Sequence, residues 1–355
     1  MPLSVLRITE ILESYFQEYS PNRNNIRISD VNSLSKGWET ELFSFKLVFK
    51  EDNIKKTEQL ILRIYPEGDV KSKTKWEYDV LTALYNAGYT VPKTHILELD
   101  GKFFNQPFII MDRIVGRDMG EEFIQALESQ DIDTVINEIL PRLCQSFVEL
   151  HNLDWRILPN EIGSIESLSP YYFIDRKLSS FEQDLKEYNL QELEKILNWL
   201  KEKRETVPVE KIAILHRDFH PHNVIISNED GKSYIVDWPA CSIGDYREDL
   251  AWSLMLTRAY TTDTISDAIL NLYEKISGSK VKEIEYFEVL AILRRFSDIM
   301  IILKYGAGEF GLRKEAVQQI KETIFQLRNI YTRFTTITNI TIPELERFIQ
   351  EVSEE

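Results

Sequence analysis

Residues 213–238 read AILHRDFHPHNVIISNEDGKSYIVDW. Two short apolar runs, Ala213-Ile214-Leu215 and Val224-Ile225-Ile226, flank a polar loop that runs from His216 to Asn223. Asn228-Glu229-Asp230-Gly231 is a strong turn signal, and Tyr234-Ile235-Val236 reads as the strand that returns from it. Pairing of the last two runs as a hairpin brings Asp237 back beside Asn223. The stretch therefore predicts a loop between strands with three oxygen-bearing side chains, Asp218, Asn223 and Asp237, gathered in one place.

Those residue types suit the movement of a phosphoryl group. A γ-phosphoryl leaving ATP spreads negative charge over its equatorial oxygens, so a protein must set divalent metal against them and hold the accepting hydroxyl in line. Magnesium prefers hard oxygen ligands and keeps much of its water, which matches one carboxylate and one amide carbonyl. Asp237 and Asn223 fit that metal role, and Asp218, five residues before Asn223, remains to face the hydroxyl and accept its proton.

Continuing outward, the segment H-x-D-x-H-P-x-N is followed by Ile235-Val236-Asp237-Trp238 and then by Gly244-Asp245-Tyr246-Arg247-Glu248-Asp249-Leu250-Ala251. This combination resembles the aminoglycoside phosphotransferase family of small-molecule kinases, which share the protein-kinase-like fold. His216-Arg217-Asp218 is also the H-R-D of protein kinases, but Asp237 is followed by Trp238-Pro239 rather than Phe-Gly, and no activation segment ending in Ala-Pro-Glu appears. Where protein kinases carry a loop lysine this chain has His220, as the aminoglycoside-type enzymes do, and the resemblance puts that imidazole near the transferred phosphate. It implies an ATP- and magnesium-dependent transfer to a hydroxyl of a small molecule such as an amino sugar, macrolide or amino alcohol.

Upstream, Phe43, Phe45, Leu47 and Phe49 alternate onto one strand face, and Leu60-Ile61-Leu62-Arg63-Ile64 forms a second strand, with Glu51-Asp52-Asn53 and Lys55-Lys56 expected in the loop between. The resemblance places a phosphate-covering turn at Ser33-Leu34-Ser35-Lys36-Gly37-Trp38, with Ser35 and Gly37 as its nucleotide contacts. It also places Arg63 where the fold usually has a phosphate-binding lysine; arginine keeps the charge but presents a planar fork. Residues 71–87 read as a helix on which Glu77, Leu81 and Leu84 share the inward face, so Glu77 requires a partner, and Arg63 is the one expected. Pro107-Phe108-Ile109-Ile110-Met111 reads as a buried strand leading into Asp112-Arg113-Ile114, where the resemblance implies adenine contacts from the Asp112 carbonyl and the Ile114 amide.

Other readings of the same residues stand beside this one. His216, His220 and His222 invite a zinc site, although Pro221 opposes the helix that would align two of them and the site would leave Asn223 and Asp237 unexplained. His222 otherwise reads as solvent-exposed. A kinase-like scaffold that binds nucleotide without turnover is a different-class alternative, and a protein kinase is another. Asp245 and Asp249 precede the periodic run Leu250-Ala251-Trp252-Ser253-Leu254-Met255 and read as structural residues at a helix start.

The chain has 355 residues, 43% of them hydrophobic and 28% charged, with a formal charge of −16, which opposes nonspecific binding to nucleic acid. That charge is compatible with a cationic acceptor, for which Tyr260, Asp263, Asp267, Glu283, Glu285 and Glu288 are candidates on helices. Cys144 and Cys241 give no disulfide framework, no signal peptide is read, and no apolar run reaches a membrane span, so a cytoplasmic location is expected. The expected fold is α+β and two-lobed: a small antiparallel-sheet lobe with an N-terminal helix over 1–115, and a mainly helical lobe over 116–355 with the catalytic loop and acceptor site. Ile139–His151, Tyr172–Lys201 and the stretches from Leu250 to Ile349 carry the helical pattern.

Overall fold

The computed structural model describes residues 4–34, 40–65, 69–159, 168–310 and 315–354. The chain divides into two compact units at Val115/Gly116.

The first unit is built on an antiparallel sheet of β1 (Asn24–Ser33), β2 (Glu41–Glu51), β3 (Ile54–Ile64), β4 (Thr94–Glu98) and β5 (Phe108–Asp112), in the order β1-β2-β3-β5-β4. The alternation on β2 works as the sequence requires: Phe43, Phe45, Leu47 and Phe49 are buried. Helix α1 (Val5–Tyr19), capped by Ser4, brings Ile8, Ile11, Leu12, Tyr15 and Phe16 into the same core, the three-and-four spacing of one helix face. β2 and β3 join more tightly than expected. Asp52 and Asn53 alone form the turn, both left-handed at φ 52° and 63°, so Lys55 and Lys56 lie in β3 and not in a loop. A two-residue turn with both φ positive matches the strand twist, and Asn and Asp tolerate it. Helix α2 (Val70–Asn86) then carries Glu77, Leu81 and Leu84 on its buried face.

The second unit opens with β6 (Gly116–Asp118), which pairs with β8 (Val224–Ser227), and β8 pairs in turn with β9 (Ser233–Ile235). Gly116 is needed for that approach, since a Cβ there would stand 2.2 Å from the Ile226 carbonyl oxygen. A second ribbon joins β7 (Ile212–Leu215) to β10 (Ser242–Asp245). Neither β6 nor β10 was expected from the sequence, because three- and four-residue strands leave no visible alternation.

The rest is helical: α3 (Met119–Glu128), the short α4 (Ile132–Thr134), a π-turn at Val135–Ile139, α5 (Leu140–Asn152), α6 (Tyr172–Glu187) and α7 (Glu194–Lys203). They are followed by α8 (Tyr246–Tyr260), α9 (Asp263–Ser277), α10 (Ile284–Tyr305), α11 (Glu315–Glu322), α12 (Phe325–Thr338) and α13 (Pro343–Glu354). The periodic stretch 172–201 is two helices, broken where Asn189 turns left-handed at φ 53°. Among the described residues no helix is long and apolar enough to cross a membrane.

Candidate active site

The loop from His216 to Asn223 is held by backbone contacts. Strand β7 delivers the chain to His216, and Asp249, fully buried on α8, accepts from the His216 amide at 2.7 Å and the Arg217 amide at 2.6 Å. Arg217 sits at φ 68°, a left-handed conformation that costs a non-glycine residue about 1–3 kcal/mol, and the paired amides are what hold it there. The His216 ring lies over Trp238, with its Nε2 2.9 Å from the Val236 carbonyl oxygen, which ties the loop to the strand that ends at Asp237. The Ser253 hydroxyl donates to the Phe219 carbonyl, and Phe219 stacks flat on Phe147 at 4.1 Å. Asp249, Trp252 and Ser253 stand at i, i+3 and i+4 on α8, so one helix face braces the whole loop.

Within this frame the Asp218 carboxylate accepts from the Trp252 indole N–H at 3.0 Å, and its other oxygen lies 3.4 Å from His220 Nε2. Burial works to raise this carboxyl, but the His220 charge and hydrogen bond, the Trp252 N–H and Arg294 hold it well below the usual range. Burial likewise works to lower His220, yet Asp218, Asp237 and Asp118 outweigh it and leave its pKa raised. The Asp218 side chain keeps 39% of its surface, so solvent screens these interactions and the carboxylate remains reachable.

Asn223 donates its Nδ2–H to the Asp218 carbonyl at 2.8 Å, which turns its Oδ1 the other way; that oxygen makes no hydrogen bond among the described residues. The Val236 amide donates to the Asn223 carbonyl at 3.0 Å, and Val224 pairs with Ile235, so the hairpin brings Asp237 back beside Asn223. Asp237 is left-handed, at φ 70°. The amide oxygen of Asn223 and the carboxylate of Asp237 are hard-oxygen donors of the kind that would suit magnesium. Among the described residues no group of three or more His, Cys, Asp or Glu side chains is placed to hold a metal, and the three histidines are engaged separately. His222 is half-exposed, 3.4 Å from Asp118, and rests on Gly120, where a Cβ would fall 2.2 Å from the ring.

In the first unit Arg63 and Glu77 meet as expected, Nε to Oε2 at 2.9 Å, with both side chains buried. Tyr65 adds a hydroxyl donor to the same Glu77 oxygen at 2.7 Å. Asp112 ends β5 with its amide on the Lys93 carbonyl and its carboxylate 2.6 Å from His95 Nε2. The Arg113 amide donates to Gln59, whereas the Ile114 amide has no hydrogen-bond partner among the described residues. Ser35 and Gly37 lie outside the described residues.

Asp245 caps α8 by accepting from the Arg247 amide and forms a buried pair with the Arg247 guanidinium, Oδ2 to Nη2 at 2.6 Å. Of the acidic candidates for a cationic acceptor, Glu283 is exposed at the start of α10 and makes no side-chain hydrogen bond or ion pair among the described residues, while the others lie against arginines. Asp263 and Asp267 pair with Arg258, and Glu288 binds Arg333 through two 2.8 Å bonds while Glu285 lies 3.8 Å from it. The Tyr260 hydroxyl accepts from Arg295. Sequence reasoning passed over Trp252, Arg294 and Asp118. Trp252 was findable as the residue one helical turn beyond Asp249; Arg294 reaches the loop from a helix far along the chain, through the Arg217 carbonyl at 2.9 Å, and had no local signal. A hollow of about 420 Å³, lined by residues such as Arg117, Glu138 and Arg142, holds none of the expected site residues.

The model of the phosphotransferase enzyme family matches residues 41–284, across both the Arg63–Glu77 pair and the loop. The chain belongs to that family. Among solved structures it is similar to aminoglycoside phosphotransferase APH(4)-Ia (TM-score 0.59, 16% identity, 90% of this chain and 99% of that one). It is also similar to spectinomycin phosphotransferase APH(9)-Ia (TM-score 0.56, 12% identity, 96% and 100%) and to Plasmodium vivax ethanolamine kinase (TM-score 0.56, 12% identity, 89% and 86%). These likenesses carry the fold, which is α+β and protein-kinase-like. Among curated proteins it is 25% identical over 210 residues to mouse acyl-CoA dehydrogenase family member 10, a match of 56% of this chain that spans 18% of that protein's length.

Proposed function

We propose that this phosphotransferase moves the γ-phosphoryl group of ATP to a hydroxyl of a small molecule, with magnesium. The observation that carries the reading is the Asp218–Asn223 arrangement: one side chain braces the loop carbonyl while leaving a hard oxygen open, five residues from a carboxylate kept ionised beside it. Solved relatives lend support, since APH(4)-Ia has been captured with AMP-PNP and hygromycin B, and the spectinomycin enzyme with ADP and spectinomycin.

Asp218 orients the acceptor hydroxyl. A carboxyl held so far down is a weak base, so it takes the proton late, as the new O–P bond forms, which suits a loose transition state. His220 places positive charge beside the transferred group, and Asn223 and Asp237 would hold a magnesium ion, whose charge would offset that of the phosphate oxygens. Arg63, fixed by Glu77 and Tyr65, keeps a guanidinium for the nucleotide phosphates, with Asp112 and Ile114 offering main-chain contacts to adenine. The two buried thiols, Cys144 and Cys241, suit a reducing, cytoplasmic setting.

The test is ADP release with magnesium and ATP against a panel of hydroxylated small molecules. Asp218→Asn is expected to keep nucleotide affinity and to lower turnover of the accepted compound about 10²- to 10⁴-fold. A mutant as fast as the parent would remove Asp218 from the chemistry. ATP binding with no transfer to any member would favour a nucleotide-binding scaffold.

A further inference from the structure

Beside Asp218 lies a cavity of about 30 Å³ lined by Lys177, Arg217, Glu248, Trp252 and Arg294, with Phe181, Phe287, Leu290 and Ala291 completing an apolar wall. It belongs to the site because Trp252 serves both: its indole N–H holds Asp218, and its ring carries the Arg294 guanidinium at 3.8 Å. Arg294 also donates to the carbonyl of Arg217, the residue before Asp218.

In a chain with a formal charge of −16, the lining has three cations and one carboxylate. Lys177 reaches Glu248 at 3.4 Å, and Arg294 reaches Asp298, outside the lining, at 3.6 Å, both longer than good charge-assisted hydrogen bonds. The Arg217 guanidinium makes no hydrogen bond or ion pair among the described residues. The cations also press on one another. Burial, then Arg217, lowers Arg294 to about 10, with Arg295 adding to the effect; burial lowers Lys177 to about 8 against the pull of Glu248, with Arg217 and Arg294 also lowering it. Burial pushes the Asp298 carboxyl upward, while Arg294, Arg295 and Arg217 pull it down. Crowded, partly desolvated cations are an unfavourable arrangement that an incoming anion relieves.

We propose that the acceptor is an anionic alcohol, whose charged group sits between Lys177, Arg217 and Arg294 while its hydroxyl faces Asp218. The cavity has room for a group the size of a carboxylate, and the apolar wall suits a short carbon chain between the two functions. This rests on the kinase reading above and narrows it: the charge beside the reacting hydroxyl selects an acid, opposite to the preference that the overall charge suggests.

The experiment measures ADP release by the full chain with magnesium and ATP against short hydroxy acids, their uncharged amides, amino alcohols of equal length and sugar phosphates. The proposal expects the acids or sugar phosphates to lead by about tenfold or more in kcat/KM, the worth of one charge-assisted contact. Which of the two leads identifies the anion as carboxylate or phosphate. Lys177→Met should raise KM for that acceptor about tenfold, Lys177→Glu should raise it further, and KM for ATP should not follow. Preference for amides or amino alcohols, or a Lys177→Glu variant that keeps the parent's KM for the anionic acceptor, would overturn the proposal and leave the kinase reading standing. Nucleotide binding without transfer to any class would overturn both.

Discussion

Two charged clusters in the helical unit differ in one respect that separates architecture from chemistry. Around Glu288 each arginine has a close carboxylate: Arg333 grips Glu288 through two 2.8 Å bonds, and Arg258, paired with Asp263, also reaches Asp267 and Glu288. Around Asp218 the ion pairing is looser: Lys177 and Arg294 reach carboxylates at 3.4 and 3.6 Å, Arg294 donates instead to the Arg217 carbonyl, and the Arg217 guanidinium makes no ion pair among the described residues. Closely paired charge ties α8, α9, α10 and α12 together; loosely paired charge is open to a ligand. The same residue types therefore mean opposite things, and what distinguishes them is the distance to a partner.

Each side of that contrast can be broken separately. Glu288→Gln should cost the fold most, about 3 kcal/mol by denaturant titration, near the low end for a broken buried pair because Arg333 retains some solvent and Glu285. Refolded protein should keep its acceptor KM; a large rise there would mean that Glu288 serves the site. Asp249→Asn weakens the charge-assisted bonds to the His216 and Arg217 amides, a loss of about 2 kcal/mol, and lets Asp218 drift. Turnover should fall about tenfold with nucleotide affinity kept; unchanged kinetics would show that the loop holds its shape without the brace.

A pH titration sharpens the other side. Lys177 is held down to about 8, so it is charged at neutral pH and loses its proton as pH rises through that value. Acceptor KM should therefore climb about tenfold between pH 7 and pH 9 for an anionic acceptor and stay level in Lys177→Met. A level profile in the parent protein would remove the lysine charge from acceptor binding. The smallest effect is expected at Asp263, whose side chain is 77% exposed: Asp263→Asn should shift stability by less than about 1 kcal/mol. A larger loss would show that the Arg258 network depends on its exposed member.

Local chemistry made much of this legible in advance. The loop, the hairpin return to Asp237, the buried Phe43 to Phe49 face and the Arg63–Glu77 pair all follow from short-range spacing or from one buried charge demanding a partner. Lys55 and Lys56 were misplaced because exposed strand residues look like loop residues, and the true turn needed just the left-handed Asp52 and Asn53. Strands β6 and β10 escaped for lack of length. Trp252 stood within reach of helical arithmetic from Asp249, but a tryptophan in a helix reads first as core.

The sequence by itself determined the long strands and helical stretches, the three oxygen-bearing side chains and the cation at position 63, because periodicity and turn chemistry act over a few residues. Tertiary structure alone decided which charges are spent. Arg294 stands 76 positions from Asp218 along the chain, yet it stacks on the tryptophan that holds that carboxylate. Asp263, Asp267 and Glu288, which look like acceptor ligands in one dimension, are turned onto arginines. Coulomb energy depends on separation in space and on burial, and neither quantity exists until the helices pack.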